Sequence, residues 1–196
     1  MLNKEELIKP LVSLREDAIV VTTMSIVRPW GRYSNSNLDF ASADSAMGHS
    51  ADLALGIALA QPKRKVICLN GDGSMLMTLG SLVTIVEARA ENLILVVVQN
   101  QTFEITGNQP IPAARQVDFS MLAQGAGFKN SYTFDDAQTY EQNLEGILKQ
   151  KGPTFLAVKV KSGIEGPLSR GLSQEVAYLK PSLAESAHQL RKTLIC

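Results

Sequence analysis

The sequence predicts an α/β protein with three layers, α/β/α, in which a six-stranded parallel sheet lies between helices. Three observations carry this. Six short apolar or β-branched runs alternate with longer segments of helical periodicity, the pattern of parallel strands joined by helical crossovers. Two of the runs, Val66-Ile67-Cys68-Leu69 and Leu93-Ile94-Leu95-Val96-Val97-Val98, are apolar at every position, as strands covered on both faces must be. Each of these two ends in a polar cluster, Gly71-Asp72-Gly73-Ser74 and Gln99-Asn100-Gln101-Thr102, at the edge where open α/β sheets place their ligands. With 196 residues, 45% of them apolar, the chain reads as a single domain, 1–196, with a core of about 17–160 and a tail over 161–196.

From the N-terminus, Asn3 to Leu14 reads as an amphipathic helix capped by Asn3, with Glu5 and Glu6 where negative charge suits the helix dipole. Ala18 to Val21 is the first strand. It ends in Thr22-Thr23-Met24-Ser25, hydroxyls that can cap the next segment or hydrogen-bond a phosphate. Arg28, Trp30, Arg32 and Tyr33 fall on a helix, the arginines solvated or interfacial. A short strand around Leu38-Asp39-Phe40 precedes a loop of small residues, 41–50, wrapped around Met47. Ala51 to Leu59 is a helix hydrophobic nearly all round and therefore expected to be buried. After the central turn, Met75 to Ala90 has helical spacing, with Met75 and Met77 as core fillers. Beyond Thr102 a polar, proline-bearing stretch to Pro112 reads as a long loop, Glu104 included. Then come a helix from Phe119 to Ala126, a strand from Lys129 to Thr133, a helix from Asp135 to Lys149 and a strand from Thr154 to Val160. The tail reads as irregular and then helical from Leu183, with His188 on its surface.

Composition narrows the function. Equal counts of basic and acidic residues, 19 each, give no pointer to nucleic acid. Cys68 and Cys196 cannot form a disulfide framework, neither has a metal-ligand neighbour at a useful spacing, and a reducing cytoplasm is the expected setting. The first residues carry Lys4, Glu5, Glu6 and Lys9 with no long apolar run, so neither a secretory signal nor a membrane span is expected.

By itself, Gly-Asp-Gly-Ser is most often a plain turn. The next strand changes its meaning, because parallel neighbours deliver their ends to one edge, and Asp72 and Asn100 can then converge on one cation. Gly71 and Gly73 let the backbone approach a ligand closely, and Gly73, Ser74 and Met75 open a helix whose unpaired N–H groups suit an anion.

These residues resemble the thiamine diphosphate-dependent enzymes, whose diphosphate-binding domain carries Gly-Asp-Gly and, one strand later, a closing asparagine. The resemblance covers about Asp17 to Val160. It implies a Mg²⁺ ion held by the side chains of Asp72 and Asn100 and the carbonyl of Thr102, all hard oxygen donors, against the cofactor diphosphate. Gln99 stands where the family's asparagine doublet has its first member. The resemblance further implies cofactor contacts from Thr23, Ser25, Gly71, Gly73, Ser74, Met75 and Phe103. Ser45-Ala46-Met47-Gly48-His49 is similar to the segment that grips the aminopyrimidine, with the Ser45 carbonyl accepting its amino group and Met47 as an adaptable apolar wedge. His49 is a candidate proton shuttle, and by position it equally suits contact with phosphate or a helix cap.

The wording Glu104-x-Thr106-Gly107-x-Gln109, together with Met-Gly-His, is most similar within the family to the phosphonopyruvate and sulfopyruvate decarboxylases. The reaction implied is non-oxidative decarboxylation of a small 2-oxo acid to an aldehyde. The partner implied is a pyrimidine-binding subunit, which supplies the activating glutamate in a hetero-oligomer. Carboligation of the acetolactate synthase type and a non-catalytic cofactor-binding subunit are the alternatives.

Overall fold

The computed structural model describes residues 1–42 and 47–195. In chain order its first half contains α1 (Lys4–Leu14), β1 (Ile19–Thr22), α2 (Val27–Gly31), β2 (Asp39–Ala41), α3 (Ser50–Ala60), β3 (Val66–Gly71), α4 (Asp72–Met77) and α5 (Gly80–Ala88). The second half contains β4 (Leu93–Gln99), a hairpin of β5 (Thr102–Phe103) and β6 (Gln109–Pro110), α6 (Phe119–Ala126), β7 (Asn130–Phe134), α7 (Ala137–Lys149), β8 (Thr154–Lys159) and α8 (Leu183–Ile195). Six strands form one wholly parallel sheet in the order β2-β1-β3-β4-β8-β7. The expected α/β/α architecture is therefore present, and all six predicted strands are in it.

Period-two alternation distributes the strand residues between two cores. Leu93, Leu95 and Val97 of β4 join Val66 and Cys68 of β3 in one cluster, with α3, α5, α6 and α8 over it. Ile94, Val96 and Val98 join Ile67 and Leu69 on the other face, under α1, α2 and α7. Because both faces are covered, β4 is buried from end to end. The core is wider than residues 17–160: Leu7, Ile8 and Leu11 of α1 are fully buried, and so is Leu179 beyond β8.

Local signals account for the helix starts. Asn3 and Glu6 form a reciprocal capping box at α1, and Asp118 and Asp136 cap α6 and α7 by accepting the N–H groups of Met121 and Thr139. The helix expected over 75–90 differs. It starts at Asp72 and breaks at Thr78, whose hydroxyl donates to the Gly48 carbonyl at 2.5 Å, and α5 restarts at Gly80. Met75 is fully buried as expected, whereas Met77 lies on the outside. Similarly, α3 buries Ala51, Ala54 and Ala58 but leaves Leu53 and Leu59 exposed.

Beyond β8 the tail is irregular until α8, yet it is tightly held. Arg28 of α2 ion-pairs with Glu175 at 2.5 Å and donates to the Gly166 and Pro167 carbonyls. The half-buried Tyr178 donates its phenol to the Val27 carbonyl and shares a hydrogen bond with Thr22 of β1. Arg170 reaches the Ala41 carbonyl of β2, the Pro181 carbonyl and Ser186. The side chain is thus a clamp for the tail. Among the described residues no helix is long and apolar enough to cross a membrane.

Candidate cofactor site at the carboxyl edge of the sheet

The strand order reverses at β1, which lies between β2 and β3, so a crevice opens at the carboxyl ends of β1 and β3. A cleft lies at this edge, walled by Met24, Ser25, Met47, Gly71 to Ser74, Asn100 and Thr102 to Thr106. Register brings its central residues together: Gly71 pairs with Val98, which sets Asp72 beside the Gln99-Asn100 end of β4.

Asp72 and Asn100 are both buried. The Asp72 carboxylate accepts the N–H of Gly73 at 2.8 Å and of Gln101 at 2.6 Å, tying the end of β3 to the end of β4. Gln101 achieves this with a left-handed backbone, φ 66°, an uncommon conformation for a residue with a side chain. Burial pushes the Asp72 carboxyl up to about 6, against the N–H groups of Gln101 and Gly73 that hold it down. Among the described residues no lysine or arginine pairs with it.

The Asn100 carbonyl oxygen accepts the Thr102 N–H at 3.1 Å, and its amide nitrogen donates to Glu104 at 2.8 Å. Thr102 directs its hydroxyl away, to Asn108 and Ser162. A buried anion without a counter-charge, beside an amide oxygen and a strand-end carbonyl, is a donor set of hard oxygens that fits a divalent cation.

The two glycines of the turn differ in their reasons. A Cβ on Gly73 would meet the Phe103 ring at 2.5 Å, so packing alone demands glycine there. A Cβ on Gly71 would meet nothing within 4 Å, and its open space faces the cleft. Ser74 accepts the N–H of Gly48 at 2.9 Å, and with Thr78 it pins the half-buried Met47 turn onto α4.

The other expected contacts divide. Ser25 and Phe103 line the cleft. Thr23 is buried, its hydroxyl unpartnered among the described residues, and it does not itself line the cleft. Met75 does not line the cleft: it fills the core beneath it. His49 is exposed, 3.6 Å from Asp52, and does not line the cleft; it stands at the start of α3 without a side-chain cap hydrogen bond. Ser45 and Ala46 lie outside the described residues.

Glu104, expected as an ordinary loop residue, is buried at 4% exposure in the short 3-10 turn after β5. Lys4 reaches it from the first residue of α1 at 2.7 Å, and the Glu165 N–H donates to it at 3.0 Å. Burial alone would push this carboxyl up, but the hydrogen bonds from Lys4, the Glu165 N–H and Asn100 outweigh it and hold it below the usual carboxylate range. One signal in the sequence pointed to it. Lys4 places a cation at a helix N-terminus, against the dipole, which calls for a partner elsewhere.

The family described as thiamine pyrophosphate enzyme, C-terminal TPP binding domain, matches residues 22–158. The chain belongs to this family. Among curated thiamine pyrophosphate enzymes, it is 35% identical to the sulfopyruvate decarboxylase subunit beta of Methanothermobacter thermautotrophicus, over 83% of this chain and 84% of that one. It is 33% identical to the phosphonopyruvate decarboxylase of Streptomyces hygroscopicus over 64% of this chain, a stretch that spans 31% of that longer protein. The fold also matches the crystal structure of benzoylformate decarboxylase from Polynucleobacter necessarius, with a TM-score of 0.71 and 19% identity, over 83% of this chain and 34% of that one.

Proposed function

We infer that this chain is the thiamine diphosphate-binding subunit of a decarboxylase, and we propose that it works with Mg²⁺ and a pyrimidine-binding partner subunit on a small 2-oxo acid of the sulfopyruvate or phosphonopyruvate type. The observation that carries the reading is the meeting of Asp72 and Asn100 at adjacent strand ends, where the Gln101 N–H ties the two together and the buried Asp72 lacks a counter-charge. The side chains of Asp72 and Asn100 and the Thr102 carbonyl would hold the cation. Ser74 and Ser25, which line the cleft, would bind the diphosphate, with Thr23 next to Ser25 on the first-strand loop. Met47 and Phe103 supply apolar walls that fix the orientation of the bound rings. Bound thiamine diphosphate supplies the electron sink for loss of carbon dioxide.

Two features support a partner. The carboxylates that line the cleft among the described residues are Asp72 and Glu104, and Glu104 is committed to Lys4 and Asn100. Neither is free to act as the acid that activates the cofactor, so that group is assigned to the partner. An apolar side chain, Met77 at 55% exposure, also stands beside Gly48 of the Met47 turn, as an interface there requires. Cys68, free and fully buried in β3, suits a cytoplasmic setting.

The test is turnover of sulfopyruvate and phosphonopyruvate by this chain, by a pyrimidine-domain subunit, and by the two mixed. Activity is expected in the mixture alone. Robust turnover by this chain without a partner would refute the split site, and a stable, cofactor-loaded but inactive complex would refute the catalytic reading.

A further inference from the structure

We propose that Glu104 is a positioning residue that sets the amide of Asn100 so that its oxygen, and not its nitrogen, faces the cation, with Lys4 as the counter-charge that keeps Glu104 in place. The inference rests on the metal reading given above and adds to it a residue that lines the same cleft but is not one of the cation's proposed ligands.

An asparagine amide has two nearly isosteric ends, one a donor and one an acceptor, and a cation tolerates only the acceptor. Two neighbours of opposite character fix the choice at Asn100. The ionised Glu104 carboxylate accepts only, so it must face the amide nitrogen, which it does at 2.8 Å. The Thr102 N–H donates only, so it must face the amide oxygen, at 3.1 Å. The oxygen keeps a second lone pair, and Asn100 follows the end of β4 that lies beside the Asp72 end of β3. Without Glu104 the Thr102 N–H alone would oppose a flip of the amide, and the site would present an N–H₂ group to the cation for a larger part of the time.

Glu104 itself is held from every side. Lys4 donates to both carboxylate oxygens, at 2.7 and 2.8 Å, and also to the Ser25 carbonyl at 3.1 Å, so one ammonium links the carboxylate to the first-strand loop. The Glu165 N–H closes the remaining side at 3.0 Å. Gly163 passes so close that a Cβ there would stand 2.6 Å from the carboxylate oxygen. Such enclosure is more than a surface ion pair needs. Partners that orient metal ligands are worth about 10–100-fold in cation affinity when removed.

The experiment measures Mg²⁺-dependent binding of thiamine diphosphate to the full chain by calorimetry, with Mn²⁺ as a second probe ion and thermal unfolding as a check on folding. Glu104→Ala is expected to weaken the cation roughly 10–100-fold. Because that variant also strands Lys4, an isoelectric swap decides the matter. Asn100→Asp alone provides a harder ligand but faces Glu104 with a like charge, and should weaken the cation about tenfold or more. Adding Glu104→Gln to Asn100→Asp restores a donor opposite the new carboxylate, and affinity should return to within about threefold of wild type. Recovery in the double variant, with the loss in the single one, supports the positioning role. Equal loss in both, or no loss in Asn100→Asp, overturns it and leaves the metal reading standing. Wild type that binds without need of a cation, or Asp72→Ala that binds as wild type does, overturns the metal reading and this inference with it.

Discussion

Asp72 is held in a state that suits a cation and not the empty protein. Its carboxyl titrates at about 6 when folded and at 3.8 in an unfolded chain, because burial disfavours the anion. Between those values the native protein binds the extra proton, so stability falls as pH rises from about 4 to about 6 and stays lower above. The deficit is on the order of 2–3 kcal/mol. Asp72→Asn should therefore melt at a higher temperature than wild type at about pH 7–8 in chelator, with the gap closing as pH falls below about 4, while binding of thiamine diphosphate is lost. A melting temperature unchanged at neutral pH would contradict the unpaired burial of this acid. The sequence displayed Asp72 and Asn100 because each closes an unbroken apolar run, and parallel strands leave such ends side by side. Glu104 was harder to see, since the lysine that explains it lies 100 positions away and meets it only through the packing of α1.

The turn between β3 and α4 shows how an element fits its neighbours. Gly73 accommodates the Phe103 ring of the β5–β6 hairpin, so Gly73→Ala should force the ring out and cost about 1–3 kcal/mol, a fall of several degrees in melting temperature. Pairing it with Phe103→Leu should recover part of the loss, and no recovery would place the strain elsewhere. Strand positions were legible because their apolar runs are continuous, and the helix cap at Asn3 because capping is local. The break at Thr78 was not, since its cause is a hydrogen bond to Gly48, 30 positions back. The outward faces of α3 and α4 were misjudged for a related reason. Periodicity reports how many apolar residues a helix carries, and the exposure of Leu53 and Met77 depends on what the helix finally faces.

At the scale of the whole molecule, the sheet has a cofactor edge formed by β1, β3 and β4, and two helical layers that position it. The tail completes this body, since Arg28 and Tyr178 bind it to α2 and β1. That arrangement also governs the fate of β2. An edge strand offers unpaired backbone groups on its outer side, a template on which other chains can assemble. Here the Asp39 N–H is taken by the Ser36 carbonyl, the Ala41 carbonyl is taken by Arg170, and α8 lies against the strand. A chain ending at Gly163 should leave that edge bare and the Phe40 side of the core wet. Light scattering should show it aggregating at concentrations where the full chain stays dispersed, and a clear, monodisperse truncation would deny the tail this role. The last thirty or so residues thus act as a built-in guard, keeping the sheet from recruiting strands from neighbouring molecules in a crowded solution.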